Sequence, residues 1–146
     1  MKKISFQYFT LVLFLATLFL SSCYEEDPWL EDNITSTGEK FPVIYMNEFE
    51  SGTYSSGDVV EVVLEFFSEG ELDKIVLYET IGDSEKRKVS ESAYVPAFSE
   101  RKALDTLALS YTVPMVADTV DIVLSAEAIN TNGLTKESSQ EFEAIP

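Results

Sequence analysis

The chain has 146 residues, a formal net charge of −16 and no histidine. Without histidine it has no Ser-His-Asp triad, no Cys-His catalytic pair and no metal site with histidine ligands. Its single cysteine excludes an internal disulfide, and its 26 acidic against 10 basic residues argue against binding of nucleic acid, which needs clustered lysine and arginine.

The N-terminal residues have the composition of a secretory signal peptide. Lys2 and Lys3 precede an apolar run whose dense part, residues 11–20, contains ten residues. A membrane-spanning helix needs about 20 mainly apolar residues, so the shorter run favours a signal peptide. An uncleaved membrane anchor and a plain secretory signal are the alternatives.

A lone cysteine follows this run directly. The sequence Leu20-Ser21-Ser22-Cys23 resembles the lipobox of bacterial lipoprotein signals, in which a leucine and two small residues precede a cysteine. The resemblance implies that residues 1–22 are removed as a signal peptide and that the sulfur of Cys23 carries a diacylglycerol. Such a lipid would hold the protein at a membrane without a transmembrane segment.

Residues 23–40 are predicted to form a lipidated, flexible tether. They show no period of about 2 or 3.6 residues and are rich in charged residues, serine, threonine and glycine. The acidic run Glu25-Glu26-Asp27 is similar to the export signal of surface lipoproteins of the Bacteroidota type. That resemblance implies a position on the outer face of the outer membrane, whereas an ordinary disordered tether would also contain acidic residues.

Beyond residue 40 the apolar residues alternate with polar ones, which is the pattern of β-strands. In the first long strand, Val60, Val62, Leu64 and Phe66 form the apolar face. The strand after it is apolar on both faces, so we expect it to be central in its sheet. The predicted strands cover residues 41–46, 58–67, 72–81, 88–94, 107–113, 120–128 and 134–144.

These strands predict an all-β domain over residues 41–146. About seven short strands joined mostly by short links are typical of an antiparallel β-sandwich, with a small barrel as the alternative. The basic run Lys86-Arg87-Lys88 lies at the start of the fourth predicted strand. We interpret this strand as a sheet edge that lysine protects from aggregation, although the same charges would also suit an acidic partner.

The segment from Val120 to Gly133 carries a family resemblance. Its apolar residues at every second position, followed by Asn130 and Gly133, resemble the F strand and the F–G turn of fibronectin type III and related immunoglobulin-like domains. The resemblance implies an immunoglobulin-like β-sandwich. Two positions depart from the family pattern, because the only tryptophan, Trp29, lies in the tether and the tyrosine position of the F strand is aliphatic.

Three aromatic residues are the predicted ligand-binding residues. Tyr54, Tyr94 and Phe98 fall in or beside predicted loops, and we expect them to cluster at one end of the sandwich. Aromatic rings stack on sugar rings, so such a cluster suits a glycan. Rings that cap the core from outside are the alternative.

No catalytic or metal site is predicted. Glu61 and Glu65 lie on one face of a strand, about 13 Å apart, which exceeds the separation of the two carboxylates in glycosidases. Four residues near strand ends have oxygen ligands that suit calcium but lack the spacing of an EF-hand loop, namely Asp118, Asp121, Asn130 and Asn132.

Together these features predict a lipid-anchored, non-enzymatic binding module at the outer membrane, on the cell surface. It would need no cofactor, and it would bind a glycan or act as an accessory subunit of a surface complex. The alternative is a structural or adhesive component that assembles with partner proteins through its strand edges.

Overall fold

The computed structural model describes residues 34–146 of the chain. The predicted signal peptide, Cys23 and residues 24–33 of the predicted tether lie outside the described residues. Within the described part, the regular structure consists of nine strands. In chain order they are β1 (Val43–Met46), β2 (Thr53–Ser55), β3 (Val59–Phe67), β4 (Leu72–Ile81), β5 (Arg87–Ala93), β6 (Phe98–Ser99), β7 (Leu104–Thr112), β8 (Val120–Asn130) and β9 (Thr135–Ile145).

The strands form two sheets in a sandwich arrangement. One sheet has four strands in the order β1-β3-β7-β6, and the other has five in the order β2-β9-β8-β4-β5. This arrangement confirms the prediction of an all-β sandwich, and all the predicted strands are present within a few residues of their expected ends. β4 lies between β8 and β5, which confirms its predicted central position.

One strand pair departs from the predicted antiparallel arrangement. β2 runs parallel to β9, with Thr53 opposite Glu143 and Ser55 opposite Ile145. After β1 ends in the four-stranded sheet, the chain crosses to the other sheet, where β2 meets the last strand running in the same direction. The prediction of a purely antiparallel sandwich is therefore wrong at this edge.

The interior consists of apolar side chains from the facing sides of the two sheets. Val60, Val62, Leu64 and Phe66 of β3 are buried, as their alternation predicts. Removing such surface from water stabilises the fold by about 25 cal/mol per Å² of apolar area. The buried apolar residues of β8 in the same core are Ile122, Leu124, Ala126 and Ala128.

The outer face of the five-stranded sheet carries three ion pairs. Lys86 contacts Glu137 at 2.5 Å, and Lys74 and Lys88 each contact Glu91 at 3.2 Å. Partly exposed pairs of this kind contribute little to stability, but they keep the face hydrated. β5 lies at the edge of this sheet, which confirms the edge position predicted for the basic run.

Residues 34–40, at the end of the predicted tether, form a turn against the domain. Ile34 pairs with Lys40 in an isolated bridge. Lys40 contacts Glu69 at 2.5 Å, and the side-chain amide of Asn130 donates to the carbonyl of Lys40 at 3.5 Å. These contacts extend the folded structure back to residue 34, ahead of the predicted domain start at residue 41.

Candidate functional site

Tyr94 stands just after β5, where the chain leaves the edge of the five-stranded sheet. Its N–H donates to the carbonyl of Asp73 at 2.8 Å, and its ring meets that of Phe66 edge to face, with 6.2 Å between ring centres. Its hydroxyl donates to Asp105 Oδ2 at 3.0 Å. Burial and this hydrogen bond raise the pKa of Tyr94 above its ordinary value, so the hydroxyl keeps its proton. Tyr94 is therefore fixed at its backbone by Asp73 and at its hydroxyl by Asp105.

Asp105 also fixes the loop that follows Tyr94. Its second carboxylate oxygen, Oδ1, accepts a hydrogen bond from the N–H of Ala97 at 2.9 Å. The carbonyl of Ala97 in turn accepts from the N–H of Thr106 at 3.1 Å. One carboxylate of β7 thus connects the loop and the Tyr94 hydroxyl.

Two cavities adjoin the Tyr94 ring, and we call them together the Tyr94 cleft. The smaller has a volume of about 110 Å³ and includes Asp105 in its lining. The larger has a volume of about 220 Å³ and a mainly apolar lining, which includes Phe66, Ile75, Tyr94, Val95, Ala97 and Leu107. Because Ile75 and Phe66 belong to the core, the larger cavity reaches between the two sheets.

Phe98 lies beside the Tyr94 cleft on β6. It is the cross-strand partner of Asp105, and its side chain is 64% exposed. Val95, which lines the larger cavity, is 70% exposed. Large apolar side chains exposed next to a cavity form a surface of the kind that binds ligands or proteins. The structure therefore brings Tyr94 and Phe98 to one region.

Tyr54 lies at the opposite end of the sandwich. β2 pairs with the last residues of β9, and Tyr54 is opposite Ala144. On its other side Ala144 is opposite Val120, the first residue of β8. Tyr94 instead lies beside the first residues of β4, which pair with the end of β8 at Asn130. The two ends of β8 are about 33 Å apart at 3.3 Å per residue. The expectation that all three aromatic residues cluster is therefore wrong for Tyr54.

Tyr54 belongs to a separate, acidic cavity of about 310 Å³, whose lining includes Glu48, Glu50 and Glu61. Its ring packs edge to face on Phe142, with 5.2 Å between ring centres. Because Phe142 is part of the core, Tyr54 caps the core from outside, which was the alternative role for these rings.

Glu65 lies on the same face of β3 as Glu61 and takes part in a polar network with Asn47 and Lys102. It accepts a hydrogen bond from the side-chain amide of Asn47 at 3.1 Å, and it also contacts the ammonium group of Lys102. The hydrogen bonds from Lys102 and Asn47 lower the pKa of Glu65, so its carboxylate is ionised. Glu61, four residues earlier on the same strand, lines the cavity beside Tyr54.

The residues with oxygen ligands near strand ends are also dispersed. Asp121 is near the start of β8, whereas Asn130 is at its end, where it is buried and accepts a hydrogen bond from the hydroxyl of Ser68 at 2.9 Å. Among residues 34–146, no group of three histidine, cysteine or acidic side chains is placed to hold a metal ion.

A buried polar network crosses the sandwich at Glu79, which is 3% exposed. The hydroxyl of Tyr111, on the opposite sheet, donates to Glu79 Oε2 at 2.7 Å, and Arg87 Nε donates to Oε1 at 2.8 Å. Sequence reasoning missed this network, because a single acidic residue inside a strand pattern gives no signal of burial. The network connects the two sheets and lies outside the Tyr94 cleft.

Comparison with known proteins does not place the chain in a family. It matches no model of a protein family, and no match was found among curated proteins. In the part of the chain that the structure covers, no helix has the length and apolar character needed to cross a membrane.

Proposed function

We propose that the protein is a non-enzymatic binding module, held at the outer membrane by a lipid on Cys23, exposed at the cell surface and able to bind a glycan in the Tyr94 cleft. One observation carries the ligand assignment. It is the presence of a mainly apolar cavity of about 220 Å³ beside an aromatic ring that a carboxylate holds in place. Small-ligand sites are concave and mostly apolar, with a few polar groups that fix orientation.

The chemistry of the Tyr94 cleft suits a sugar ring. A sugar ring presents apolar C–H faces, which pack on aromatic side chains, and hydroxyl groups at its rim, which need hydrogen-bond partners. Tyr94 and the exposed Phe98 supply aromatic surface, and Asp105 supplies a carboxylate next to it. This combination of groups supports a glycan ligand over a purely apolar one.

The anchor and the location rest on the sequence. Leu20-Ser21-Ser22-Cys23 supports lipid attachment, and the acidic residues behind Cys23 support export to the cell surface. Attachment by more than one acyl chain is stable, whereas a single chain binds a bilayer only marginally. The net charge of −16 for the whole chain becomes more negative when Lys2 and Lys3 are removed with the signal peptide, so it opposes contact with anionic headgroups and the lipid supplies the attachment.

The proposal includes an immunoglobulin-like topology for the sandwich. The order β1-β3-β7-β6 corresponds to strands A, B, E and D of an immunoglobulin domain, and β4, β8 and β9 correspond to C, F and G. β5, which pairs with β4, takes the position of C′. In this alignment β8 is strand F, which agrees with the sequence resemblance of residues 120–133.

Tyr94→Ala is expected to weaken glycan binding at least about tenfold, because it removes the ring against which the sugar packs. The measurement is binding of the purified protein to a glycan array, followed by calorimetric titration of the glycan that gives the strongest signal. Tyr94→Phe keeps the ring and loses only the hydrogen bond to Asp105, so it should retain most of the affinity. A thermal melt of each variant verifies that it is folded.

Tyr54→Ala is the matched control for this experiment, because it removes the same kind of side chain at the opposite end of the sandwich. It should bind the glycan as the wild type does. Equal affinities of the wild type and Tyr94→Ala for the same glycan would place the binding site elsewhere. A wild-type protein that binds no glycan on the array would contradict the glycan assignment itself.

Cys23→Ala is expected to abolish lipid attachment, because alanine has no sulfur to carry the diacylglycerol. The protein should then appear as an uncleaved precursor or as a released, soluble product. Membrane fractionation and intact-mass measurement distinguish these forms from the acylated wild type. Ser22→Ala, which keeps a small residue before the cysteine, is the control and should remain lipidated. Unchanged mass and membrane association in Cys23→Ala would disprove the anchor.

A further inference from the structure

β7 is paired with a neighbouring strand along nearly its whole length on one side, but over only two residues on the other side. From Asp105 to Thr112 it pairs with β3. On its other side it pairs with β6 through only two residues, Phe98 opposite Asp105 and Ser99 opposite Leu104. Among residues 34–146, no strand lies beside this second edge beyond the contact of the Thr106 N–H with the loop.

Every second residue of β7 directs its N–H and C=O groups away from β3, toward this open edge. The N–H of Val113 donates to the carbonyl of Asp58, at the start of β3, at 2.9 Å. Because backbone groups alternate in direction along an antiparallel strand, those of Ala108, Ser110 and Thr112 point to the other side. The edge therefore presents a row of N–H and C=O groups that no described strand satisfies, which is a template for pairing with another strand.

The side chains along this edge do not protect it. From Thr106 to Val113 the sequence contains no charged residue and no proline. The edge strand of the other sheet, β5, begins instead with Arg87 and Lys88 and carries ion pairs. Natural sheets protect exposed edges with lysine, proline or very short strands. The β7 edge lacks these devices over its central residues.

The inner side of the same edge is apolar. Leu107 and Leu109 are half-buried, and Leu107 also lines the larger cavity of the Tyr94 cleft. A strand placed next to β7 would direct every second side chain over these two residues. Apolar side chains at those positions would remove Leu107 and Leu109 from water and reach the opening of the cavity.

We infer that β7 is a docking edge for an extended polypeptide strand of a partner protein, with apolar side chains at alternate positions and no proline at its centre. The row of backbone groups gives affinity, and the apolar inner side selects the alternating pattern. This inference does not depend on the glycan assignment, because it uses the backbone of β7 and not the Tyr94 ring.

Amide hydrogen exchange measured by NMR tests the edge in the protein alone. The amides of Leu109 and Tyr111, which pair with β3, should exchange slowly, whereas those of Ala108, Ser110 and Thr112 should exchange at least about tenfold faster. Protection of these three amides in the free full-length protein would overturn the inference, because the edge would already be covered.

A synthetic peptide then tests docking. The probe is Lys-Val-Thr-Val-Thr-Val-Thr-Val-Lys, and the control peptide has the same composition in the order Lys-Val-Val-Val-Val-Thr-Thr-Thr-Lys. The alternating peptide should slow exchange of the Ala108, Ser110 and Thr112 amides at least about tenfold, and the control should have little effect. Equal effects of the two peptides, or no effect of either, would overturn the inference.

Ser110→Pro removes one N–H from the free edge and leaves the β3 pairing intact, because Ser110 directs its backbone groups away from β3. It should bind the alternating peptide about tenfold less tightly. Ser110→Lys keeps the backbone and protects the edge by charge, so it should show the same loss of peptide affinity. This variant replaces Ser110→Pro in the test if the proline variant does not fold. Ser139→Lys, on an exposed face of β9, should bind normally.

Discussion

Leu124→Asp is expected to unfold the domain. Leu124 is fully buried on β8, and an aspartate there would place an unpaired charge in the core. Its cross-strand neighbour on β4 is Glu79, whose buried carboxylate would lie on the same face as the new one. The combined cost of about 5 kcal/mol or more is comparable to the whole stability of a typical domain. Far-UV circular dichroism should show no cooperative melting transition.

Val123→Asp is the matched control, because it makes the same kind of substitution one residue earlier on the same strand. Val123 is half-buried on the outer face of the sheet, where an added carboxylate remains hydrated. It should cost about 1 kcal/mol, and the protein should still melt cooperatively. Wild-type melting of Leu124→Asp would show that the inner and outer faces of β8 are assigned the wrong way round.

Tyr111→Phe is expected to lower the free energy of unfolding by about 1–3 kcal/mol, which is the cost of leaving a buried polar group without its partner. The substitution keeps the ring in the core and removes only the hydroxyl that donates to Glu79. Urea unfolding of the variant measures the change. Tyr78→Phe is the control, since the Tyr78 hydroxyl donates to Glu127 on the outer face and its loss should cost less.

The same tyrosine is expected to make the domain sensitive to alkaline pH. Burial is the main cause that raises the pKa of Tyr111 well above its ordinary value of about 10, and the hydrogen bond to Glu79 is the second cause. The folded state then keeps this proton at pH values at which the unfolded chain loses it. The contribution of Tyr111 is therefore complete below about pH 10 and decreases as the pH rises above that value.

Unfolding free energies at about pH 8 and about pH 11 measure this effect. The wild type should lose more stability between the two pH values than Tyr111→Phe, which has no proton to release at that position. An equal loss in both proteins would assign the alkaline sensitivity to other groups, such as Tyr78, whose pKa burial also raises.

The sequence predicts the long strands because their apolar residues either alternate with polar ones or form a short continuous run. In β3 the apolar residues occur at every second position, and in β4 they occur on both faces, so their burial follows from the pattern alone. β2 and β6 contain three and two residues, too few for any alternation. Their presence depends on the strands beside them, β9 and β7, and so does the parallel direction of β2.

The candidate site was predictable in part. Aromatic residues in loops are visible in the sequence, and Tyr94 and Phe98 lie close together because both are near Asp105. The sequence does not reveal which end of the sandwich a loop occupies, so the expectation that Tyr54 lies near Tyr94 and Phe98 is wrong. Nor does the sequence show that a buried Glu79 has a partner, because the Tyr111 hydroxyl that bonds it comes from a distant strand.

We expect the parallel pairing of β2 with β9 to be loaded in shear when these two strands are pulled. In a parallel pair, tension that draws β2 toward its N-terminus and β9 toward its C-terminus slides the two strands along each other. The hydrogen bonds then lie across the direction of force and must break together, whereas those of a hairpin pulled apart at its open end break one after another. We therefore expect the three residue pairs of this short junction to resist such a pull together.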